Sequence, residues 1–287
     1  IMKKYRVGII GATGYVGQRF CSLLENHPWF QVTAMAASPG KKGMTYEQAL
    51  MGNWKIPAPF PTVLKDIVLD HPEDTTAIGE KVDFVFCAVS LDAEETRLLE
   101  EKYAKAEIPV VSNNSANRWT QDVPVMMPEI NREHLEVIEA QRKRLGTSRG
   151  FIVAKPNCSI QSYVPVLKAW EKFGLKDVSV CTYQAISGSG RTFAEWPEMN
   201  DNIIPFIGGE EKKSEKEPLK VFGKVLDGKI VDATGPVIGA QCIRVPVSDG
   251  HLAAVSLDLE KKVTKEELVE ALREYANPIE ALELPSA

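Results

Sequence analysis

Apolar and polar positions alternate along the chain in two rhythms. Compact apolar runs at Arg6–Ile10, Gln31–Ala37, Val82–Val89 and Ile108–Ser112 predict short buried strands, while helical spacing after Gly17 to about Glu25 and over Ala93–Ala106 predicts amphipathic helices among them. Strands that alternate with helices predict a parallel, doubly wound sheet, because parallel neighbours need crossover connections. The second half reads differently. Longer alternating strands at Val178–Ser187, Val237–Val247 and Leu252–Lys261 predict a mixed or antiparallel sheet, backed by helices at Ser159–Phe173 and Lys265–Ala276, with Ser248-Asp249-Gly250 as a turn between the last two strands. A short buried strand is expected at Phe151–Ala154. The boundary falls near Arg149–Gly150, giving a nucleotide-binding domain over 1–150 and an α+β domain over 151–287.

The turn after the first strand, Gly11-Ala12-Thr13-Gly14-Tyr15-Val16-Gly17, opens a helix. Strand, glycine turn and helix is the context in which backbone N–H groups meet a pyrophosphate, so the first domain reads as a dinucleotide-binding Rossmann domain. The spacing is Gly-x-x-Gly-x-x-Gly, a variant of the usual fingerprint. An NAD site places an acid about twenty residues beyond such a turn. Here no acid lies between Gln31 and Tyr46, and Ser38, Lys41 and Lys42 stand in that stretch instead. A hydroxyl and two ammonium groups suit a 2′-phosphate, which points to NADP.

Composition narrows the partners. The chain has 287 residues, is 44% hydrophobic and carries a formal net charge of −5, so it has no general attraction for polyanions despite the basic run Arg142-Lys143-Arg144. That run is expected on a solvated helix face. The five cysteines are scattered without metal-ligand spacing, which suits a reducing cytoplasm and predicts no metal site. No apolar run is long enough to span a bilayer, and no leader pattern is seen. Ile1 before Met2 reads as a translation remnant.

Chemistry concentrates at Pro156-Asn157-Cys158-Ser159. Cys158 is expected where the Phe151–Ala154 strand gives way to a helix, where orphan N–H donors and the helix dipole can lower a thiol pKa from about 8.5 into the range ~3.5–7.5. A thiolate beside a nicotinamide suggests aldehyde and acyl chemistry through a thioester. His251, seven residues beyond Arg244, is a candidate proton carrier. Arg244 interrupts the apolar run Ile243–Val247, where a guanidinium must find an anion or water.

These pieces, with Ser112-Asn113-Asn114-Ser115 through Arg118, Gln184 ahead of Ser187-Gly188-Ser189-Gly190, and Ile203-Ile204-Pro205-Phe206, lie in one register along most of the chain. In that register the chain closely resembles the aspartate-semialdehyde dehydrogenase family, its archaeal and fungal type in particular. The resemblance implies that Cys158 forms an acyl enzyme, His251 handles protons and Gln184 sits beside the cysteine. It implies Arg244 on the substrate carboxylate, and a Glu-x-x-Lys element at Glu210 and Lys213 for the ammonium and the phosphate, with Glu211 as the one-place alternative to Glu210. Arg118 and Asn157 would complete the phosphate site, although Asn157 also fits as a cap for the following helix. Cofactor contacts are implied at Gly11, Thr13, Gly14, Tyr15, Val16, Gly17, Ser38, Lys41, Lys42, Ser187 and Gly188. The implied activity is NADP-dependent reduction of aspartyl phosphate to aspartate semialdehyde, toward lysine, methionine and threonine, by a cytoplasmic homodimer or homotetramer. The family continues past Pro285-Ser286-Ala287 with a further strand and helix, so a truncated chain is expected. Competing readings are a malonyl-CoA reductase of the same superfamily, an N-acetyl-glutamyl-phosphate reductase, and a non-catalytic NADP-binding regulatory relative.

Overall fold

The computed structural model describes residues 4–283; Ile1, Met2 and the Pro285–Ala287 end lie outside the described residues. In chain order the first elements are β1 (Tyr5–Ile10), α1 (Tyr15–Leu24), β2 (Phe30–Ala36), α2 (Tyr46–Leu50), α3 (Thr75–Gly79), β3 (Phe84–Cys87), α4 (Ala93–Lys105) and β4 (Val110–Ser112). They are followed by α5 (Pro128–Asn131), α6 (Ile138–Leu145), β5 (Ile152–Ala154), α7 (Val164–Trp170) and β6 (Leu175–Gln184). The last are α8 (Glu210–Val221), β7 (Lys224–Leu226), β8 (Lys229–Val231), β9 (Val237–Arg244), β10 (His251–Leu259) and α9 (Lys265–Arg273).

The chain forms two compact units. The first comprises the described residues up to Val123 together with Ile138–Lys155; the second comprises Pro124–Val137 and the chain from Pro156 onward. The domain boundary therefore differs from the one expected at Arg149–Gly150. β5 pairs in parallel with β4, so the strand at Ile152–Ala154 completes the first sheet.

The first unit holds a fully parallel five-stranded sheet in the order β2-β1-β3-β4-β5. Its order reverses between β1 and β3, the topological switch point beside which such sheets bind ligands. One face packs Ile10, Ile78, Val85, Leu99 and Tyr103; the other packs Val7, Ile9, Cys21, Met35 and Tyr46. Each fully buried aliphatic side chain of this kind contributes about 1.5–3 kcal/mol of transfer free energy.

The second unit carries a mixed sheet, β10-β6-β9, with β6 antiparallel to β10 and parallel to β9. Strands 9 and 10 are not neighbours. The segment between them passes the end of β6, so Ser248-Asp249-Gly250 belongs to a crossover and not to a hairpin turn. Along β6 Val178, Val180, Thr182 and Gln184 are buried while Ser179 and Tyr183 are exposed, the period of two expected of a strand with one covered face. The covered face packs on Ile160, Tyr163, Val164, Leu167 and Val221.

The helix expected over Ser159–Phe173 is broken. Ile160–Ser162 and Glu171–Phe173 are 3-10 turns, and the α-helical part is α7. Pro165 lies in the first turn of α7, where its missing N–H costs no hydrogen bond, and this favours a helix start there.

Candidate active site

The loop that carries Cys158 is built by hydrogen bonds on both sides of that cysteine. Cys158 is exposed between buried Asn157 and buried Ser159. The Asn157 side-chain oxygen accepts from the Ser159 N–H at 2.9 Å and from the Ser159 hydroxyl at 2.6 Å, bridging across the cysteine. Asn157 thus closes an Asx-type turn just ahead of the 3-10 turn, whose own N-cap residue is Ser159. That 3-10 turn, and not an α-helix, follows Cys158. The neighbour of the thiol is an imidazole: His251 Nε2 stands 3.2 Å from Cys158 Sγ.

The imidazole is placed by sheet register. His251 opposes Gln184 across β10 and β6, and Gln184 opposes Arg244 across β6 and β9, so the three side chains occupy one row at the end of the sheet. Beyond that row, the Ile186 and Ser187 N–H groups donate to the carbonyls of Val247 and Ser248 at 2.9 and 3.2 Å, tying the crossover down just before His251. His251 Nδ1 lies 3.1 Å from the Ala185 N–H and 2.9 Å from the Gly250 carbonyl. Burial alone would lower the imidazole pKa; the hydrogen bond and charge of Cys158, with the Gly250 carbonyl, outweigh it and hold His251 above its ordinary value.

Glu210 is the hub on the other side. Its carboxylate accepts from Asn157 Nδ2 at 2.9 Å, from Gln184 Nε2 at 3.2 Å and from Lys213 Nζ at 2.7 Å. Although burial opposes ionisation, the Lys213 and Asn157 hydrogen bonds, the lysine charge and Gln184 keep the carboxyl below the usual range. Thr182 Oγ1 donates to Gln184 Oε1 at 3.0 Å, which fixes which end of the amide faces Glu210. The neighbouring Glu211 turns to the sheet edge, accepting the Cys242 N–H of β9 at 3.2 Å. Arg244 is buried and donates from Nη1 to the Ala185 carbonyl at 2.6 Å; burial pulls its pKa down against the charges of Cys158 and Glu210. A guanidinium carries further donors beyond that one. Gly188 lies against this pair, since a Cβ there would stand 2.7 Å from Arg244 Nη1 and 3.3 Å from the His251 ring. Seven of the residues singled out from sequence, Cys158, His251, Gln184, Arg244, Glu210, Lys213 and Asn157, thus lie in one unit, as do Ser187 and Gly188.

The glycine turn lies in the first unit, with Thr13, Tyr15, Val16, Ser38, Lys41, Lys42 and Arg118. The Gly11 and Ala12 N–H groups both donate to the Ala36 carbonyl, at 2.9 and 3.0 Å, which seats the turn at the end of β2. The glycines divide by purpose. A Cβ at Gly11 or Gly17 would meet backbone, at 2.4 Å from the Ala88 carbonyl oxygen and 2.1 Å from the Gly11 carbonyl oxygen respectively, so packing demands these two. At Gly14 a Cβ would meet only the Gly11 carbonyl oxygen at 3.5 Å, and Gly14 is exposed with an extended backbone. Nothing inside the chain requires a glycine there, whereas a closely approaching phosphate would. α1 carries no acid in its first turn and no side-chain cap, which leaves its N-terminus suited to an anion. These residues fit a dinucleotide phosphate. Lys42 is paired with Asp74 at 2.6 Å on the surface, so of the two lysines it is the one already engaged. Arg118 is buried, with Nη2 donating to the Asn113 carbonyl at 3.1 Å.

Ser159, Ser214 and Glu217 support the loop and Thr182 fixes Gln184; none of the four was assigned a role from sequence, although Ser159 stands in the motif around Cys158. Short polar residues in apolar stretches carry no distinguishing signal, but Glu210, Ser214 and Glu217 at i, i+4 and i+7 share one helix face, a spacing visible in the sequence.

Among the described residues no helix is long and apolar enough to cross a membrane, and no cluster of metal-ligating side chains occurs. The chain matches two family models, "Semialdehyde dehydrogenase, NAD binding domain" over residues 6–138 and "Semialdehyde dehydrogenase, dimerisation domain" over residues 165–283. It is 40% identical over 284 residues to the aspartate-semialdehyde dehydrogenase of Archaeoglobus fulgidus, covering 99% of this chain and 79% of that protein. It is 38% identical over 291 residues to that of Aspergillus fumigatus, covering 99% and 78%. A crystal structure of aspartate-semialdehyde dehydrogenase with NADP from Candida albicans superposes with a TM-score of 0.86 at 35% identity, covering 99% of this chain and 80% of that one.

Proposed function

The chain belongs to the aspartate-semialdehyde dehydrogenase family, and on that premise we propose that Cys158 is the nucleophile of an NADP-dependent reduction of aspartyl phosphate to aspartate semialdehyde, a step of amino-acid biosynthesis toward lysine, methionine and threonine. The observation that carries this reading is the 3.2 Å approach of His251 Nε2 to Cys158 Sγ, set in the row His251, Gln184, Arg244.

His251 takes the thiol proton as sulfur attacks the acyl carbon. Phosphate leaves, taking a proton from solvent, and a thioester remains on Cys158. NADPH, when bound, supplies the hydride that reduces that thioester. His251 returns its proton to the cysteine sulfur as the C–S bond breaks and the semialdehyde departs, restoring the free thiol; the reverse direction runs the same steps backward. Gln184, whose amide is fixed between Thr182 and Glu210, orients the acyl group without adding charge. Glu210 receives the substrate ammonium and Arg244 its carboxylate, while Lys213, Arg118 and Asn157 serve the phosphate. Gly11, Thr13, Gly14, Tyr15, Val16 and Gly17 would hold the cofactor pyrophosphate, Ser38, Lys41 and Lys42 its 2′-phosphate, and Ser187 and Gly188 the nicotinamide side.

A buried, ionised Glu210 suits an amino group and has no counterpart to read in malonyl-CoA, which supports the aspartyl substrate over the reductase alternative. Turnover of aspartate semialdehyde with phosphate and NADP, abolished in Cys158→Ser, is the expected result. Preference for malonate semialdehyde with coenzyme A would overturn the substrate assignment, and turnover surviving in Cys158→Ser would overturn the mechanism.

The same reading has the chain pair through the uncovered face of the β10-β6-β9 sheet. Leu252 and Tyr183 are register partners on that face, 61% and 37% exposed, and Val237 is 68% exposed. Apolar area of this kind marks an interface. Leu252→Glu should shift a dimer or tetramer toward smaller species by sedimentation velocity, and an unchanged assembly counts against this face. Five free cysteines fit a reducing cytoplasm.

A further inference from the structure

Glu217 is 1% exposed and takes no part in the chemistry described above. Its Oε2 accepts the backbone N–H of Asn157 at 2.6 Å. One and two turns earlier on α8, Ser214 lies 3.1 Å from the Ser159 hydroxyl and Glu210 accepts from the Asn157 amide. One helix face therefore grips the loop at three points around Cys158. A carboxylate is costly to bury, and a charge-assisted acceptor at this distance gives a short, directional bond in return.

We infer that Glu217 is a positioning residue for the nucleophile, fixing the peptide that precedes Cys158 so that Sγ stays within hydrogen-bond reach of His251. The inference rests on the reading of Cys158 as the nucleophile. Cysteine has a single side-chain torsion to its sulfur, so the place of Sγ follows from the backbone frame at residue 158 and that one angle. The bridge from Asn157 to Ser159 holds the frame relative to its own loop; the bond from Asn157 N–H to Glu217 holds the loop relative to the helix. Without the second bond the loop backbone loses its tie to Glu217, and the side-chain contacts of Glu210 and Ser214 hold the peptide before Cys158 less firmly against a shift relative to β10, which carries the imidazole.

The test compares Glu217→Ala, Glu217→Gln and Glu217→Asp in the full chain, once Cys158→Ser has shown that turnover depends on the sulfur. Two readouts are taken: steady-state kinetics, and the pH dependence of Cys158 alkylation by iodoacetamide without substrate. Glu217→Ala should lower kcat about ten- to a hundredfold, the loss expected of a displacement near 1 Å, with little change in KM for NADP. It should also move the alkylation profile toward that of Cys158 in His251→Ala. Glu217→Gln keeps an acceptor oxygen and should restore both readouts to near wild type. If Glu217→Ala fails to fold, Glu217→Asp decides, because it keeps charge and burial but withdraws the acceptor by one methylene and should show the same two defects in milder form. Wild-type kcat and a wild-type alkylation profile in folded Glu217→Ala, or in Glu217→Asp where Ala does not fold, would overturn the inference. So would a loss in Glu217→Ala that Glu217→Gln leaves unrepaired, since that would make charge and not the hydrogen bond the active property.

Discussion

Gly188 shows how little room Arg244 and His251 leave beside them. A methyl group there would stand 2.7 Å from Arg244 Nη1 and 3.3 Å from the His251 ring, so one side chain must give way. The nearer atom ends a long flexible arginine, which predicts that Gly188→Ala folds normally but displaces the guanidinium. The expected result is a drop in kcat/KM for aspartate semialdehyde of about ten- to a hundredfold with an unchanged melting temperature, measured by kinetics and calorimetry. His251 supplies the second prediction at this scale. Its pKa is raised, so its proton is retained to a pH above the ordinary value of about 6.5. In the proposed reductive mechanism that proton is needed when the semialdehyde leaves, so kcat should fall on an alkaline limb lying above that value. His251→Ala should lose the limb and about 10²–10⁴ of the rate, read from a pH–rate profile.

Elements show what the sequence made legible and what it withheld. Gly17 lies in the first turn of α1, and its missing side chain lets the helix rest on the Gly11 carbonyl; a Cβ would stand 2.1 Å from that oxygen and 2.7 Å from the Ala12 Cα. Backbone cannot step aside as a side chain can. Gly17→Ala should therefore unseat the helix start, costing about 1–3 kcal/mol in denaturant unfolding and weakening NADP binding in a fluorescence titration. This turn was readable because glycine spacing, strand and helix are local facts. β1, β2, α1 and α4 were readable for the same reason. The row His251, Gln184, Arg244 was not readable from pattern, because its members come from three strands and their alignment depends on which strands are neighbours. Taking Ser248-Asp249-Gly250 as a hairpin turn would have placed β9 beside β10, with β6 outside the pair. α8 was the hardest element to read. Its charged run reads as solvated, yet Glu211 and Glu215 accept the N–H groups of Cys242 and Ala240 along the open edge of β9, and Glu210 and Glu217 turn to the loop that carries Cys158. Carboxylates that satisfy a sheet edge and a buried loop cannot be told from surface charge without knowing what lies beneath the helix.

At the scale of the whole molecule, two histidines pull the pH dependence of stability in opposite directions. His134 is buried, with Nε2 3.0 Å from the Gly223 carbonyl and Nδ1 3.1 Å from the Asn131 amide nitrogen, an arrangement that suits a neutral ring protonated on Nε2. Burial lowers its pKa, with the charges of Lys220 and Lys168 adding to the effect. The unfolded chain then binds the proton first as pH falls, so folded stability declines from about pH 6.5 downward until the folded ring titrates. His251 behaves in the reverse sense: its folded pKa is raised, so its contribution is full below about pH 6.5 and is lost as pH rises through the folded value. Stability from these two groups should therefore peak where both effects are small, near neutrality. His134→Ala leaves the Gly223 carbonyl and the Asn131 amide without the ring, at a cost of about 1–3 kcal/mol for each group left unsatisfied. That cost should shrink as pH falls from 7 toward 5, because wild type loses stability there and the variant has no ring to protonate. His251→Ala should show the opposite slope, with its deficit relative to wild type largest in acid and shrinking as pH rises above 6.5. Melting temperatures of the three proteins across pH 5–9 check both slopes, and parallel curves would show that neither ring is coupled to folding.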